Sequence, residues 1–288
     1  NRALMRLIEG DMLRRGYIQS WNLILEREIA RNTVVSAGYV GTNTVRSFAD
    51  RNGNAAVAPG TGAAGRPYFA PFGRNVDTLH WNGSRGANYH SLQLTVNRRV
   101  SAALSLKGHY TYSKAINETD DDGWAGLMFN MPSAIGRNRA LAGYNQPHIF
   151  QMSFTYEMPF GRGKSMASDG VAAAILGGWQ TNGIWSMFSG RAFGISADGG
   201  NLNAPGNSQT GDQVGEVRKL GNVGEFFNKD AFGPVNQPRF GTTGRNILQG
   251  PRAFNLDFSI FRDFALTERM KLTFKAEAFN VTNTPFFN

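Results

Sequence analysis

Apolar and polar side chains alternate in five stretches of this chain. In SLQLTVNRRV, Leu92, Leu94 and Val96 fall on one side, and Gln93, Thr95, Asn97 and Arg99 on the other. In LSLKGHYTYS, Leu104, Leu106, Tyr110 and Tyr112 oppose Ser105, Lys107, His109 and Thr111. HIFQMSFTYEMPF sets Phe150, Met152, Phe154, Tyr156 and Met158 against Gln151, Ser153, Thr155 and Glu157. FNLDFSIFRDF sets Phe254, Leu256, Phe258, Ile260 and Phe264 against Asn255, Asp257, Ser259 and Asp263. In KLTFKAEAFNV, Leu272, Phe274, Ala276 and Ala278 oppose Lys271, Thr273, Lys275 and Glu277. A period of two marks a β-strand, because successive side chains leave the backbone on opposite sides. Weaker alternation runs through Ile18–Ile29, Thr33–Gly41 and Trp179–Ser189. The pattern predicts about eight strands of roughly nine to thirteen residues, the length a tilted strand needs to cross a bilayer. Strands of globular sheets are shorter, about five or six residues.

The connections alternate too. Tight turns are expected around Arg31-Asn32, near Val100-Ser101 and across Ala265–Glu268. Between them lie long segments, roughly residues 42–87, 114–146 and 198–251, rich in Gly, Asn, Pro and Asp and read as irregular loops. Such loops are rare in compact soluble domains. Short turns at one end and long loops at the other characterise outer-membrane barrels. Pro159–Gly177 is a medium connection on the short-turn side, and Val171–Leu176 within it is expected to form a turn or two of helix. Leu4, Leu7, Ile8 and Met12 have partial helical spacing, in a segment read as a loop before the first strand. Trp21, Tyr39, Tyr110, Tyr112, Tyr156, Phe160, Trp179 and Phe264 cluster near strand ends, as aromatic girdles do.

Composition narrows the class further. The 288 residues include 35 glycines and 12% aromatics, with no cysteine. Disulfides, thiolate metal sites and cysteine nucleophiles are therefore excluded. The net charge is +9, but the basic residues are scattered and no run of five occurs, so nucleic acid is not an expected partner. No window supplies the apolar run of about eighteen residues that a spanning helix requires. Membrane contact, if any, falls to strands.

Candidate chemical motifs fail on spacing. GTGAAG at Gly60–Gly65 matches the dinucleotide fingerprint literally, yet Pro59 and Pro67 flank it where a strand and a helix are needed, so a flexible loop is the reading. GRGKS at Gly161–Ser165 lacks the first P-loop glycine, since position 158 is Met. ETDDDGW at Glu118–Trp124 resembles a calcium loop, but Glu118 and Phe129 stand where Asp and Glu belong, so a solvated acidic turn around Asp120, Asp121 and Asp122 is expected. His80, His90, His109 and His148 form no metal-binding pair, and each is read as a hydrogen-bonding residue of the polar face. The nucleophile elbow G-x-S-x-G is absent. No catalytic, metal or cofactor-binding residue is assigned, and no enzyme is expected.

An ordered set of segments carries a family resemblance. They are YIQSWNLILEREIARNTVVSAGYVGT, RPYFAPFG, NYHSLQLTVNRRVSAALSLKGHYTYSKAI, QPHIFQMSFTYEMPFGRGK, LGGWQTNGIWSMFSGRAF, FFNKDAFG and GRNILQGPRAFNLDFSIFRDFALTERMKLTFKAEAFNVTN. From residue 17 to 288 the chain resembles the C-terminal half of the barrel of TonB-dependent receptors of the carboxypeptidase-regulatory-like (Oar-like) group. The resemblance implies a partial transmembrane antiparallel β-barrel, all-β, from an outer-membrane receptor for nutrient uptake. It implies outer-membrane lipid, a plug domain and the TonB energy-transducing complex as partners, the last two through parts outside this chain. The ligand stays unassigned.

Two expectations follow from the barrel reading. Glu26, Glu28, Arg99, Lys107, Glu157, Asp257, Lys271, Lys275 and Glu277 face the lumen and pair across strands or meet the plug, because Lys or Arg facing lipid at the midplane costs about 2–4 kcal/mol. Arg262 breaks the rule on the apolar face of its strand, where it is expected to reach the interface near the periplasmic end by snorkelling. In addition, the start at Asn1 and the outward direction of the last strand suggest a fragment, in which Lys271–Val281 is the penultimate strand, Asn283–Asn288 begins an outer loop and the closing strand lies beyond. The outer loops, with Trp81 and Trp124, are candidates to hold a polar ligand. The competing reading is a soluble or surface β-protein that binds glycans or protein.

Overall fold

The computed structural model describes residues 3–8, 14–120, 126–222 and 224–286. Eight antiparallel strands follow one another in a meander: β1 Tyr17–Ala30, β2 Thr33–Asn52, β3 Thr78–Arg99, β4 Leu104–Asn117, β5 His148–Glu157, β6 Trp179–Phe188, β7 Ala253–Ala265 and β8 Lys271–Ala278. Each pairs with its sequence neighbours, so the sheet order is the chain order. The ends do not meet. β1 and β8 are free edges of a curved wall, and all their residues are exposed.

The pairing register carries the alternation from strand to strand. Val35, Val96, Gly108, Met152, Trp185 and Leu256 form one continuous row across β2 to β7. Two residues along, Leu106, Phe154, Gly183, Phe258 and Ala278 form the next. The intervening rows are polar, such as Thr95, His109, Gln151, Ser186 and Asn255. A slip of one residue would interchange the two faces, so this hydrophobic pattern itself fixes the register.

The tight turns lie at one end. In the Arg31-Asn32 turn, Asn32 takes φ 59°, a left-handed conformation that Asn tolerates. Its N–H donates to Glu28 Oε1 at 3.1 Å. Ser101 Oγ accepts the N–H groups of Ala103 and Leu104 at 3.1 Å each. The β7–β8 turn spans residues 266–270 and closes with Leu266 N–H to Met270 O at 2.9 Å. Helix Gly170–Leu176 forms in the medium connection, as its sequence predicts.

At the other end the long segments depart from the expectation of irregular loops. β2 and β3 run on for 20 and 22 residues, far beyond the expected ends of their strands. Residues 42–52 and 78–87 are thus strand, with bulges at Val45/Ser47 and Ser47/Phe48. Alternation does not reveal them, because Gly, Asn and Arg interrupt it and the bulges shift its phase. Short strand pairs order the third segment, Asp212–Gln213 with Phe232–Gly233 and Ala192–Phe193 with Leu248–Gln249. Met5–Leu7 is extended and pairs in parallel with Thr78–His80, in place of the expected loop; Met12 lies outside the described residues. β8 ends at Ala278, three residues short of expectation, where Asn280 turns the chain with φ 48°.

The principal buried apolar cluster lies within the long connections. Ala56, Phe129, Met131, Ala134, Leu202 and Ala204 come from three different segments and pack together, with Met128 and Phe240 against them. The connections are therefore one packed body, a cap beyond the ends of the strands.

Candidate functional site

The cap is held by asparagine. An Asn side chain carries the same donor and acceptor as a peptide unit, so it satisfies irregular backbone where no strand is alongside. Asn138, fully buried, accepts the Phe129 N–H at 3.1 Å and donates to Phe129 O and Ile135 O at 2.7 and 2.8 Å. Asn207 Oδ1 accepts the N–H groups of Asn130 and Met131, each at 2.8 Å, while its Nδ2 donates to Ala56 O at 3.1 Å. Asn130 Nδ2 donates to Leu127 O and Gly206 O, both at 2.9 Å. Asn54 receives Tyr68 N–H at 2.8 Å and donates to Val76 O at 2.8 Å. Together these amides tie residues 52–78 to 126–138 and to 202–207.

Arginines complete the frame. Arg137 lies over the rings of Phe129 and Phe240 at 4.7 and 5.4 Å, and donates to Gly241 O and Thr243 O at 2.7 Å each. Burial lowers its pKa from the ordinary arginine value. Arg245, with 5% of its side chain exposed, meets Asp120 at 3.0 Å and also donates to Asn117 O at 2.8 Å. Burial by itself would raise the Asp120 pKa. The Gly143 N–H, the Asn117 and Asn246 amides and the Arg245 charge outweigh it and hold the carboxyl below the usual carboxylate value. Asp120 is therefore a structural anchor; Asp121, Asp122 and Trp124 lie outside the described residues. Arg6 grips Asp50, and Arg239 grips Asp212 through two hydrogen bonds at 2.6 and 2.8 Å.

Gly60–Gly65 is ordered, in contrast to a flexible loop. Gly60 and Gly62 donate to Leu202 O and Asn203 O at 2.8 Å, and residues 62–65 form one short 3-10 turn. Trp81 lies in β3 opposite Asp50, stacked on Phe48 at 4.5 Å between ring centres, and so is a strand residue rather than a loop residue.

The polar face is a wall of polar side chains with shallow concavities. A concavity of about 320 Å³ is lined by Ser153, Asn182, Asp257, Ser259, Lys275 and Glu277. A smaller one of about 180 Å³, where the wall meets the cap, is bordered by Arg85, Asn117, Glu118, Asp120 and Tyr144. The predicted cross-strand pairing is partial. Lys271 meets Asp263 across β7–β8 at 2.9 Å, but Lys275 pairs with Glu277 along its own strand at 2.7 Å. Glu157 pairs with Lys164 of the neighbouring connection at 2.9 Å, and Asp257 accepts the Asn280 N–H at 2.9 Å. Among the described residues no group of three or more His, Asp and Glu side chains is placed to hold a metal ion.

Two histidines correct the sequence reading. His109 lies on the polar face, between Thr95 and Thr111 at 3.1 Å from each hydroxyl. His90 and His148 are on the apolar face instead, bonded through Nδ1 to Tyr39 and Tyr110 hydroxyls at 2.7 Å. A single histidine gives no phase of its own; only the register with Leu92 and Phe150 places them. These Tyr–His pairs, with Trp21 and Tyr112, make an aromatic belt at the cap end. Tyr156, Trp179, Phe264 and Phe274 make a second belt at the turn end. On β5 the belts, at His148 and Tyr156, lie eight residues apart, which for a strand tilted as in a barrel is roughly 20 Å and fits within an outer-membrane apolar band.

Residues 6–288 match the outer membrane beta barrel domain. The chain belongs to that family. It superposes on the outer membrane transporter YddB from Escherichia coli with a TM-score of 0.54 at 11% identity, over 97% of this chain and 30% of that one. OccAB1 of Acinetobacter baumannii aligns at 9% identity with a TM-score of 0.30, over 91% of this chain and 46% of that one. No curated protein matches. The chain thus spans less than a third of the transporter's length. The barrel domain resides in the outer membrane, so its apolar face meets lipid and its polar face the lumen. That location sets aside a water-soluble β-protein.

Proposed function

We propose that this chain is the C-terminal barrel wall and outer cap of a TonB-dependent receptor, with the plug and the site that engages the energy-transducing complex in other parts of the protein. The cap is the observation that carries the reading. Three connections pack into one ordered body at the outer end of a polar wall, as capture of a ligand before passage requires. The run of segments resembling the Oar-like receptors supports it, as does the meander with two open edges, which suits one part of a barrel of about 22 strands with a plugged lumen. Ligand meets the cap first, the plug then rearranges, and the ligand passes along the Asn, Ser and Thr side chains of the wall. Those groups favour a polar ligand and offer no catalytic constellation.

Planar-bilayer recording on the full-length protein tests this. A plugged receptor shows no steady conductance until the plug is removed or unfolded. A permanently open channel of stable conductance would overturn the reading in favour of a porin.

A further inference from the structure

The connection from Pro159 to Gly178 is built more firmly than a turn requires. Gly161, at φ +109°, lies against Gly177, and a Cβ on Gly161 would stand 2.6 Å from Gly177 Cα. A Cβ on Gly177 would stand 2.5 Å from Ala173 O. Two bare backbones thus close the base of helix Gly170–Leu176. Its C-terminal end rests on the lipid-facing side of the wall. Arg262 donates from Nη1 to Ile175 O at 2.6 Å and from Nη2 to Ala174 O at 2.5 Å. Trp179 Nε1 donates to Ile175 O at 3.1 Å. The guanidinium lies 4.4 Å from the Phe264 ring centre and 5.8 Å from that of Trp179. A cation at a helix C-terminus satisfies orphan carbonyls and opposes the helix dipole. The arginine on the apolar face is thereby explained: it positions a helix against the outside of the barrel.

The helix turns its apolar side chains away from the protein. Ala173 is buried, whereas Val171 is 74% exposed, Ile175 62% and Leu176 45%. Residues 171 and 175 are neighbours on one helical face. Beside them, Leu266, Met270, Leu272 and Phe274 are also exposed. Phe274 packs on Trp179, which bonds the helix, so Trp179 joins the helix to the barrel's lipid face. Arg162, exposed in the same connection, suits an anionic headgroup layer.

We propose that this connection is a membrane-surface anchor, whose helix beds Val171, Ile175 and Leu176 in the periplasmic leaflet of the outer membrane, with Arg262 as its positioning residue. Amphipathic segments lie in the interface in this way. The device fixes the depth of the barrel from outside its wall, and it holds whether the barrel is receptor or porin.

The chain has no cysteine, so single labels are direct, with any cysteine elsewhere in the full-length protein replaced. Val171→Cys, Ile175→Cys and Ser168→Cys variants are spin-labelled and reconstituted in vesicles of phosphatidylethanolamine and phosphatidylglycerol. Heat-modifiable migration selects folded barrels. Labels at 171 and 175 are expected to relax with oxygen more than with an aqueous nickel chelate, and the label at 168 the reverse. Aqueous behaviour at 171 and 175 would overturn the proposal. So would labels reached by neither reagent, which would mean a protein partner covers the helix. Arg262→Gln in the 175-labelled background is expected to shift that label several-fold toward the chelate, with Arg262→Lys between. An unchanged label would refute the role of Arg262; the reading at 171 and 175 with Arg262 intact stands apart from it.

Discussion

Asp120 and Arg245 show what a residue can do in the cap. The carboxyl is held below its ordinary value, so its stabilising contribution is complete above the unfolded carboxylate range and is lost as pH falls through the lower folded value. The Gly143 amide, whose N–H donates to Asp120 at 2.6 Å, is expected to lose protection in acid, measured against its intrinsic exchange rate at each pH, before the strands do. Asp120→Asn is expected to loosen the cap at neutral pH by about 1–2 kcal/mol, the half-exposed carboxylate being screened by water, and to abolish that acid response. Asn138 is the sharper case. Asn138→Ala removes three hydrogen bonds and leaves buried backbone groups of Phe129 without a partner, a loss of roughly 2–4 kcal/mol. Exchange at residues 126–138 is expected to rise while the barrel keeps its heat-modifiable migration. Neither role is readable from spacing. Asn in a glycine-rich stretch signals a turn, whereas the bonds by which Asn130 and Asn207 join separate segments reach 76 residues or more along the chain.

The strands themselves were legible, because a wall with lipid on one side and water on the other imposes a period of two on every element. Alternation located all eight strands and, in its five clear stretches, the side that the apolar residues take, with Arg262 out of phase in its strand; it misplaced His90 and His148. It lost β2 and β3 beyond the membrane, where no solvent asymmetry enforces it and bulges reset the phase at Val45 and Ser47. Phase is what matters energetically. Met152→Lys places a charge on the lipid side midway between the belts and is expected to cost about 2–4 kcal/mol, whereas Ser153→Lys, one residue on, faces the lumen and is near neutral. Urea unfolding of the two full-length variants from vesicles measures the difference. Equal losses would put lipid on neither side.

At the scale of the molecule, the wall has two edges that no strand among the described residues covers. Unpaired backbone groups are not tolerated in lipid, so β1 and β8 call for strand partners. This chain produced alone is expected not to yield the heat-modifiable band that the full-length protein gives on insertion in vesicles, and a stable small barrel from residues 1–288 would refute the reading of a partial wall. The cap has its own weak point. Asn52 joins β2 to the cap and Gly53 follows it; in a mobile chain the glycine nitrogen attacks the side-chain carbonyl of such an Asn, ammonia leaves, and water opens the cyclic imide to aspartate or isoaspartate. Here that nitrogen donates to Thr78 O at 2.8 Å, and Asn52 is 5% exposed. The fold thus protects this junction from chemical ageing. Time spent unfolded on the way to the membrane carries the opposite consequence, an aspartate buried where the cap was designed around an amide.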